Sequence, residues 1–336
     1  MDGRKTSARA FDHRGGGVRI AGTVIACDAT AGTELVFLSH APAFGVHPRR
    51  ALPRGGGGRR QVLTTEVTLA LLGAAGDRLK THALPGAYGR PFSLGDLRLE
   101  MFPSGFMPGA ASLLCDRGGQ RIVYAGPIGP QADVRAADAV CIDATFASPA
   151  LAFPPRAEAL ADVGRAVRDV LGRGEAPVVL VDPAAIALDV AATLAADRIG
   201  LCAHRAIVQA AAAYRDAGLP APAMQRFATK LGPGEALLWP ASVRVPARRA
   251  GARAPGVILV SADAGSAPFD PDRDRARIVF PTAADVAAIL RYVEASGARE
   301  VALINAPGDD LATALRARGL DAYTLGPPRQ IELFAA

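Results

Sequence analysis

The sequence predicts a mixed α/β fold, and three observations carry that prediction. The first 145 or so residues alternate short apolar runs with turn-forming residues, as strands do. From residue 155 onward, helix-period and buried-strand segments alternate, which is the pattern of βα units. The 336-residue length, with half the residues hydrophobic, suffices for one large domain or two ordinary ones around a buried core.

In chain order, residues 18–38 hold two strand-like runs, VRIAGTVIAC and ELVFL, separated by Asp28-Ala-Thr-Ala-Gly32. Turn-forming residues between two apolar runs predict a hairpin. The second run delivers His40 to a strand end, at the start of the segment 36–49, VFLSHAPAFGVHPR. Four consecutive glycines in LPRGGGGRR (52–60) cost too much entropy for a regular element and predict an exposed loop. Thr65 ahead of Val67, Leu69, Ala70 and Leu71 reads as a capped helix ending near Leu72. PFSLGDLRLEMFPS and ASLLCDRGGQRIVYAG alternate as strands do, with Arg117-Gly118-Gly119 as the turn between two strands. AVCIDATF (139–146) is a nearly continuous apolar strand, buried on both faces, with Asp143 at its end.

Helices are then expected at 156–171, 183–197 and 207–217, and strands at 177–181, 199–202, 236–239 and 257–261. A basic, Pro-rich link occupies 244–255, and PFDPDRDRAR (268–277) reads as a loop between domains. The chain ends with a helix at 283–295, a strand at 300–304, a helix at 309–318 and a closing strand around Tyr323.

No apolar run approaches the roughly 20 residues of a membrane span, so no membrane partner is expected. The start, MDGRKTSARAFDHRGGG, has no apolar segment behind it and does not read as a signal peptide; a cytoplasmic location is the expectation. Cys27, Cys115, Cys141 and Cys202 lie far apart and never as CxxC, which excludes a zinc knuckle and a disulfide framework and predicts buried apolar thiols. The net charge of +6 and the clusters Arg49-Arg50, Arg59-Arg60 and Arg248-Arg249 permit nucleic-acid contact, although an arginine-rich surface is also simply a well-solvated one.

A strand running into a histidine loop commonly builds a metal site, because the strand end fixes the first ligand and the loop brings the others round. Around His40 the following side chains do not coordinate. Four strand-end loops must be read together: His40, the turn at 103–109, Tyr124-Ala-Gly-Pro127 and Asn305-Ala-Pro-Gly308. In this order they resemble the metallo-β-lactamase fold, in its β-CASP nuclease branch, and within it the bacterial ligase-associated DNA exonucleases, often labelled mRNA 3′-end processing factor-like proteins. FLSHA (37–41) resembles the start of the family's FVSHAHADH, and FPSGFMPGAASLL (102–114) resembles its HPAGHVLGSAQLL. IVYAGPIGP (122–130) is similar to VVYTGDF, and IDATFASPALAFPPR (142–156) to EATFGxPxYxFPPR; the likeness runs from about residue 17 to 323.

The resemblance implies an αββα sandwich formed by residues 1–155 and 268–336, with a β-CASP-like α/β insert at 156–267. It also implies that most metal ligands are gone. Of the family's HxHxDH run only His40 survives, the other ligand positions being Pro42, Phe44 and Gly45. The later histidine is Phe106, the bridging aspartate is Pro127, the SDHAD histidine aligns with Ala283, and the last histidine falls at Asn305 or Ala306. A hydrolytic zinc needs about three protein ligands. His47, seven residues past His40, is a weak substitute because rescue needs two further ligands in register.

His40 and Asp143 are therefore the inherited remnants, Asp143 reading either as an orienting carboxylate or as a hydrogen-bonded buried acid. Asp182-Pro183, where the family loop carries Gly and Lys, reads as a helix start whose carboxylate competes with phosphate. The expectation is a catalytically degenerate relative without cofactor, serving as a scaffold or DNA-binding partner in repair. Its expected partners are DNA and repair proteins such as an ATP-dependent ligase, or an active paralogue. The alternative is an active zinc- or manganese-dependent exonuclease with a remodelled site.

Overall fold

The computed structural model describes residues 9–14, 16–30, 34–41, 61–181, 184–244, 254–266 and 270–326. The fold is α/β, built on three sheets. The first holds β1 (Phe11–Arg14), β2 (Gly17–Ile20), β3 (Ile25–Cys27), β4 (Leu35–Phe37), β5 (Gln61–Thr64) and β6 (Ala83–Pro85), in that spatial order. The second contains β7 (Phe92–Leu94), β8 (Leu97–Pro103), β9 (Ala111–Arg117), β10 (Gln120–Gly126) and β11 (Ala139–Asp143), then β18 (Glu300–Ile304) and β19 (Asp321–Leu325). Their apolar faces share one core, in which Ile20, Ile25, Phe37 and Leu63 meet Leu99, Leu113, Tyr124 and Ala302.

Helices cover the outer faces. α1 (Glu66–Leu71) and α2 (Ala74–Leu79) follow β5, and Leu72 and Leu79 pack on Leu38 and Val62 of the first sheet. Thr65 caps α1 as its position predicts, accepting from Thr68 N at 3.1 Å. On the second sheet, α6 (Val286–Ser296) and α7 (Asp310–Arg316) bring Ile289, Tyr292, Val293, Leu311 and Leu315 against Val140, Ile142 and Leu303. β11 is buried on both faces, as expected: Ala139 and Cys141 enter one core, Val140 and Ile142 the other. Burying each such aliphatic side chain stabilises by about 1.5–3 kcal/mol.

The third sheet, in spatial order, is β14 (Gln225–Arg226), β13 (Gly200–Ala203), β15 (Glu235–Trp239), β12 (Ala176–Val181), β16 (Pro255–Ser261) and β17 (Asp274–Val279), every pairing parallel. α3 (Arg156–Gly172), α4 (Ala184–Ala196) and α5 (Arg205–Asp216) share its larger core, which also takes in Ala41 and Leu71. Arg156 anchors the start of this unit: it pairs with Asp189, lies 5.0 Å from the Phe280 ring centroid and donates to Pro281 O. Among the described residues no helix is long and apolar enough to cross a membrane.

Three expectations need correction. The runs at 18–27 and 34–38 do not form a hairpin with each other: β3 and β4 are parallel. The antiparallel turn lies inside the first run, where Thr23 Oγ1 donates to Ile20 O at 2.8 Å and closes β2 onto β3. PFDPDRDRAR is a loop only as far as Arg273, because β17 begins at Asp274. Its polar alternation suits an edge strand, and Arg275 meets Glu175 of the same unit in a two-pronged pair at 2.7 and 3.0 Å. The third sheet therefore runs to Val279. The helix expected from 283 starts at Val286, because Asp285 caps it by accepting from Ala288 N at 2.8 Å.

The glycine loop at 52–60, the link at 245–253, Asp182-Pro183 and all three arginine clusters lie outside the described residues. The four cysteines are free and buried. Burial pushes the Cys115 thiol up to about 11 against an ordinary 9.0, with Arg117 pulling the other way; burial also raises Cys27 and Cys141. The folded state therefore keeps a proton that the unfolded chain releases. This contribution to stability is present in full below about pH 9 and is lost as pH rises from 9 towards 11. Titration with a chromogenic disulfide at pH 8 is expected to find no rapidly reacting thiol in the folded protein and all four after denaturation.

Candidate functional site

The first two sheets each end a pair of adjacent parallel strands at the same place. In the first sheet these are β3 and β4, which hand the chain to Asp28 and to Ser39-His40. In the second they are β11 and β18, which hand it to Asp143 and Asn305. Between them lies a cavity of about 380 Å³, lined by Asp28, His40, Asp143 and Asn305 together with Tyr124, Pro127 and His13.

Asp28 is the densest node. Ser39 N donates to its Oδ1 at 2.8 Å, while Ser39 Oγ and Tyr124 OH donate to its Oδ2 at 2.6 and 2.8 Å. Tyr124 reaches it because β10 bulges between Tyr124 and Gly126, where Gly126 adopts φ +61°. Burial, then the adjacent Asp28 charge, hold the Tyr124 phenol well above its ordinary pKa, so it stays a neutral donor. Ser39 Oγ also lies 2.8 Å from His40 Nδ1.

Across the cavity, Asp143 accepts from Thr145 N at 2.9 Å and Thr145 Oγ1 at 2.6 Å on one oxygen, and from Asn305 Nδ2 at 2.8 Å on the other. Asp28 (φ 51°), Asn305 (φ 57°) and Arg198 are the non-glycine residues with positive φ among those described. Two of the three line this cavity, and left-handed backbone of this kind collects where function demands it.

Of the positions singled out in the sequence, His40, Asp143, Pro127, Asn305 and Ala306 come together here. The Phe106 ring meets the His40 ring edge-on, with centroids 5.2 Å apart. Ala283 is elsewhere: it lines a smaller cleft of about 240 Å³ with Pro154, Pro155 and Arg156. Pro42, Phe44, Gly45 and His47 lie outside the described residues. Among those described, no three His, Cys, Asp or Glu side chains gather in a way that would hold a metal ion.

Sequence reasoning missed Asp28, Ser39 and His13, and named the Tyr124 loop without its bond to Asp28. Asp28 read as a turn residue, yet it follows the apolar run VIAC as Asp143 follows AVCI, and that shared strand-end position was the available signal. Removing one donor from a part-buried carboxylate costs about 1–3 kcal/mol. Ser39→Ala and Tyr124→Phe are each expected to lower the stability measured by urea denaturation by that order. The double variant should lose less than the sum, since both donors serve one oxygen.

No family model matches the chain. A probable DNA ligase of Opitutus terrae (strain DSM 11246 / JCM 15787 / PB90-1) is 25% identical over 288 residues, covering 81% of this chain and 28% of that protein. The chain thus spans little more than a quarter of that relative's length. The crystal structure of a protein of unknown function from Enterococcus faecalis V583 superimposes with a TM-score of 0.54 at 14% identity, over 88% of this chain and 79% of that one. The first likeness gives the chain a distant relative named for DNA metabolism; the second is a shared fold.

Proposed function

We propose that this chain is a non-hydrolytic relative of the ligase-associated exonucleases in the β-CASP branch of the metallo-β-lactamase fold, acting as a scaffold or DNA-binding partner in DNA repair. The observation that carries this reading is the identity of the side chains around His40. A dinuclear hydrolytic centre needs about three protein ligands per metal, drawn from imidazole and carboxylate groups. Here the Phe106 ring edge stands against His40, and Pro127 and Ala306 line the same cavity without offering a ligand atom.

Asn305, where the last family histidine would fall, donates its amide N–H to Asp143 and brings no imidazole to the site. The residues present therefore do not fit the family's metal pair. On this reading the first two sheets with their outer helices are taken as the sandwich, and the third sheet with α3 to α5 as the insert. The 25%-identical relative named a DNA ligase supports a setting in DNA metabolism; DNA, a ligase or an active paralogue are the partners proposed with it.

The competing reading, a zinc- or manganese-dependent exonuclease with a remodelled site, draws on Asp28, His40 and Asp143 sharing one cavity. Elemental analysis and nuclease assays on the purified protein separate the two. Well below one zinc or manganese ion per chain and no cleavage of single- or double-stranded DNA is expected. One or two bound ions, with nuclease activity abolished by His40→Ala, would overturn the proposal. DNA retention is expected to weaken about tenfold between roughly 50 and 200 mM salt, the slope that about two phosphate contacts impose. Retention indifferent to salt would remove DNA from the list of partners.

A further inference from the structure

The protons around Asp28 determine which way its neighbours point theirs. A carboxylate only accepts, and a serine hydroxyl has a single proton. At 2.6 Å that proton goes from Ser39 Oγ to Asp28 Oδ2, so the 2.8 Å contact between Ser39 Oγ and His40 Nδ1 requires the imidazole to be the donor. His40 then carries its proton on Nδ1, and a neutral ring offers Nε2 as an acceptor.

Each carboxylate has about four acceptor positions. Among the described residues, donors fill both positions on Asp28 Oδ2 and one on Oδ1. They likewise fill both on Asp143 Oδ1 and one on Oδ2. Acceptor capacity remains in this cavity on Asp28 Oδ1 and Asp143 Oδ2, with Asn305 Oδ1 beside them and His40 Nε2 where the ring is neutral. Val18, Ile304 and Leu325 add apolar wall, and the described lining contains neither Arg nor Lys. A phosphate would meet the like charges of Asp28 and Asp143 there, and the described lining offers only the imidazoles of His13 and His40 to offset them.

From this we infer that the cavity is a binding site for a neutral, phosphate-free ligand rich in O–H and N–H donors. Its volume of about 380 Å³ suits a nucleoside or a small saccharide. The ligand's donors complete the hydrogen bonding of Asp28, Asp143 and His40, and its less polar face rests on Ile304 and Leu325. This use of the cavity goes beyond the proposed repair role and does not depend on it, because it needs neither a metal nor DNA.

The test is isothermal titration calorimetry on the full chain. The probes are deoxyadenosine and deoxycytidine in one arm, glucose and maltose in the other, with deoxyadenosine 5′-monophosphate and glucose 6-phosphate as charged counterparts. Saturable binding in one neutral arm identifies the ligand class, and its phosphorylated counterpart should bind at least about tenfold more weakly, the cost of one unfavourable charge contact. Asp143→Asn should weaken binding by about tenfold, the worth of one charge-assisted hydrogen bond. Because that change also disturbs the contacts with Thr145 and Asn305, Gly326→Trp is the second variant: Gly326 lines the cavity, a Cβ there meets nothing within 4 Å, and an indole should abolish binding while circular dichroism stays native. Absence of binding in both neutral arms, a phosphorylated probe that binds as tightly as its neutral form, or undiminished binding to Gly326→Trp would overturn the inference. DNA retention measured on the same samples reports on the repair role alone, so the two can fail separately.

Discussion

The Asp28 carboxylate is the point on which the two-sheet body turns. It follows β3, takes a backbone and a hydroxyl donor from the end of β4, and takes a phenol from β10 of the facing sheet, 96 residues away in sequence. One charge thus sets how far two parallel strands of the first sheet extend and where the second sheet lies against them. The cost of burying it is offset because all three donors are held in place by strands. Asp28 adopts a left-handed conformation that few side chains tolerate, and asparagine and aspartate are among those that do.

The opposite wall repeats this logic with different groups. Asp143 and Asn305 end neighbouring strands in register, Asp143 opposite Ile304, and the left-handed turn at Asn305 brings its amide back to the carboxylate. Two acids are therefore held facing one space with neither arginine nor lysine in its described lining. Such an arrangement has to satisfy its own lone pairs locally, and Thr145, Ser39 and Tyr124 do most of that.

Much of the fold was legible in the sequence because it depends on local pattern. The alternation from α3 to β16 follows from apolar periodicity, Thr65 caps its helix, and β11 shows its two-sided burial in AVCI. Strand order was less legible. VRIAGTVIAC looks like one strand until the Thr23 turn splits it, and DRARIV looks like a linker until Glu175, a hundred residues earlier, supplies the partner for Arg275. The same division holds at the site. His40, Asp143 and Pro127 stand at strand ends that a motif can mark, whereas the link between Tyr124 and Asp28 spans 96 residues and leaves no local trace.

The pairing of β11 with β18 also governs when this molecule can assemble. Ala139 lies opposite Glu300, and the whole third sheet is synthesised between them. During translation the third sheet can gather its own strands first, while β11 waits with an open edge and an apolar surface on each side. Loop closure over so long a separation is slow. The β11 edge can therefore close only once β18 has emerged, and the cavity's two walls, one at Asp28 and His40 and one completed by β18, meet no earlier. A nascent chain stalled before residue 300 would expose β11 as a free, apolar strand edge, the kind of surface on which aggregation begins.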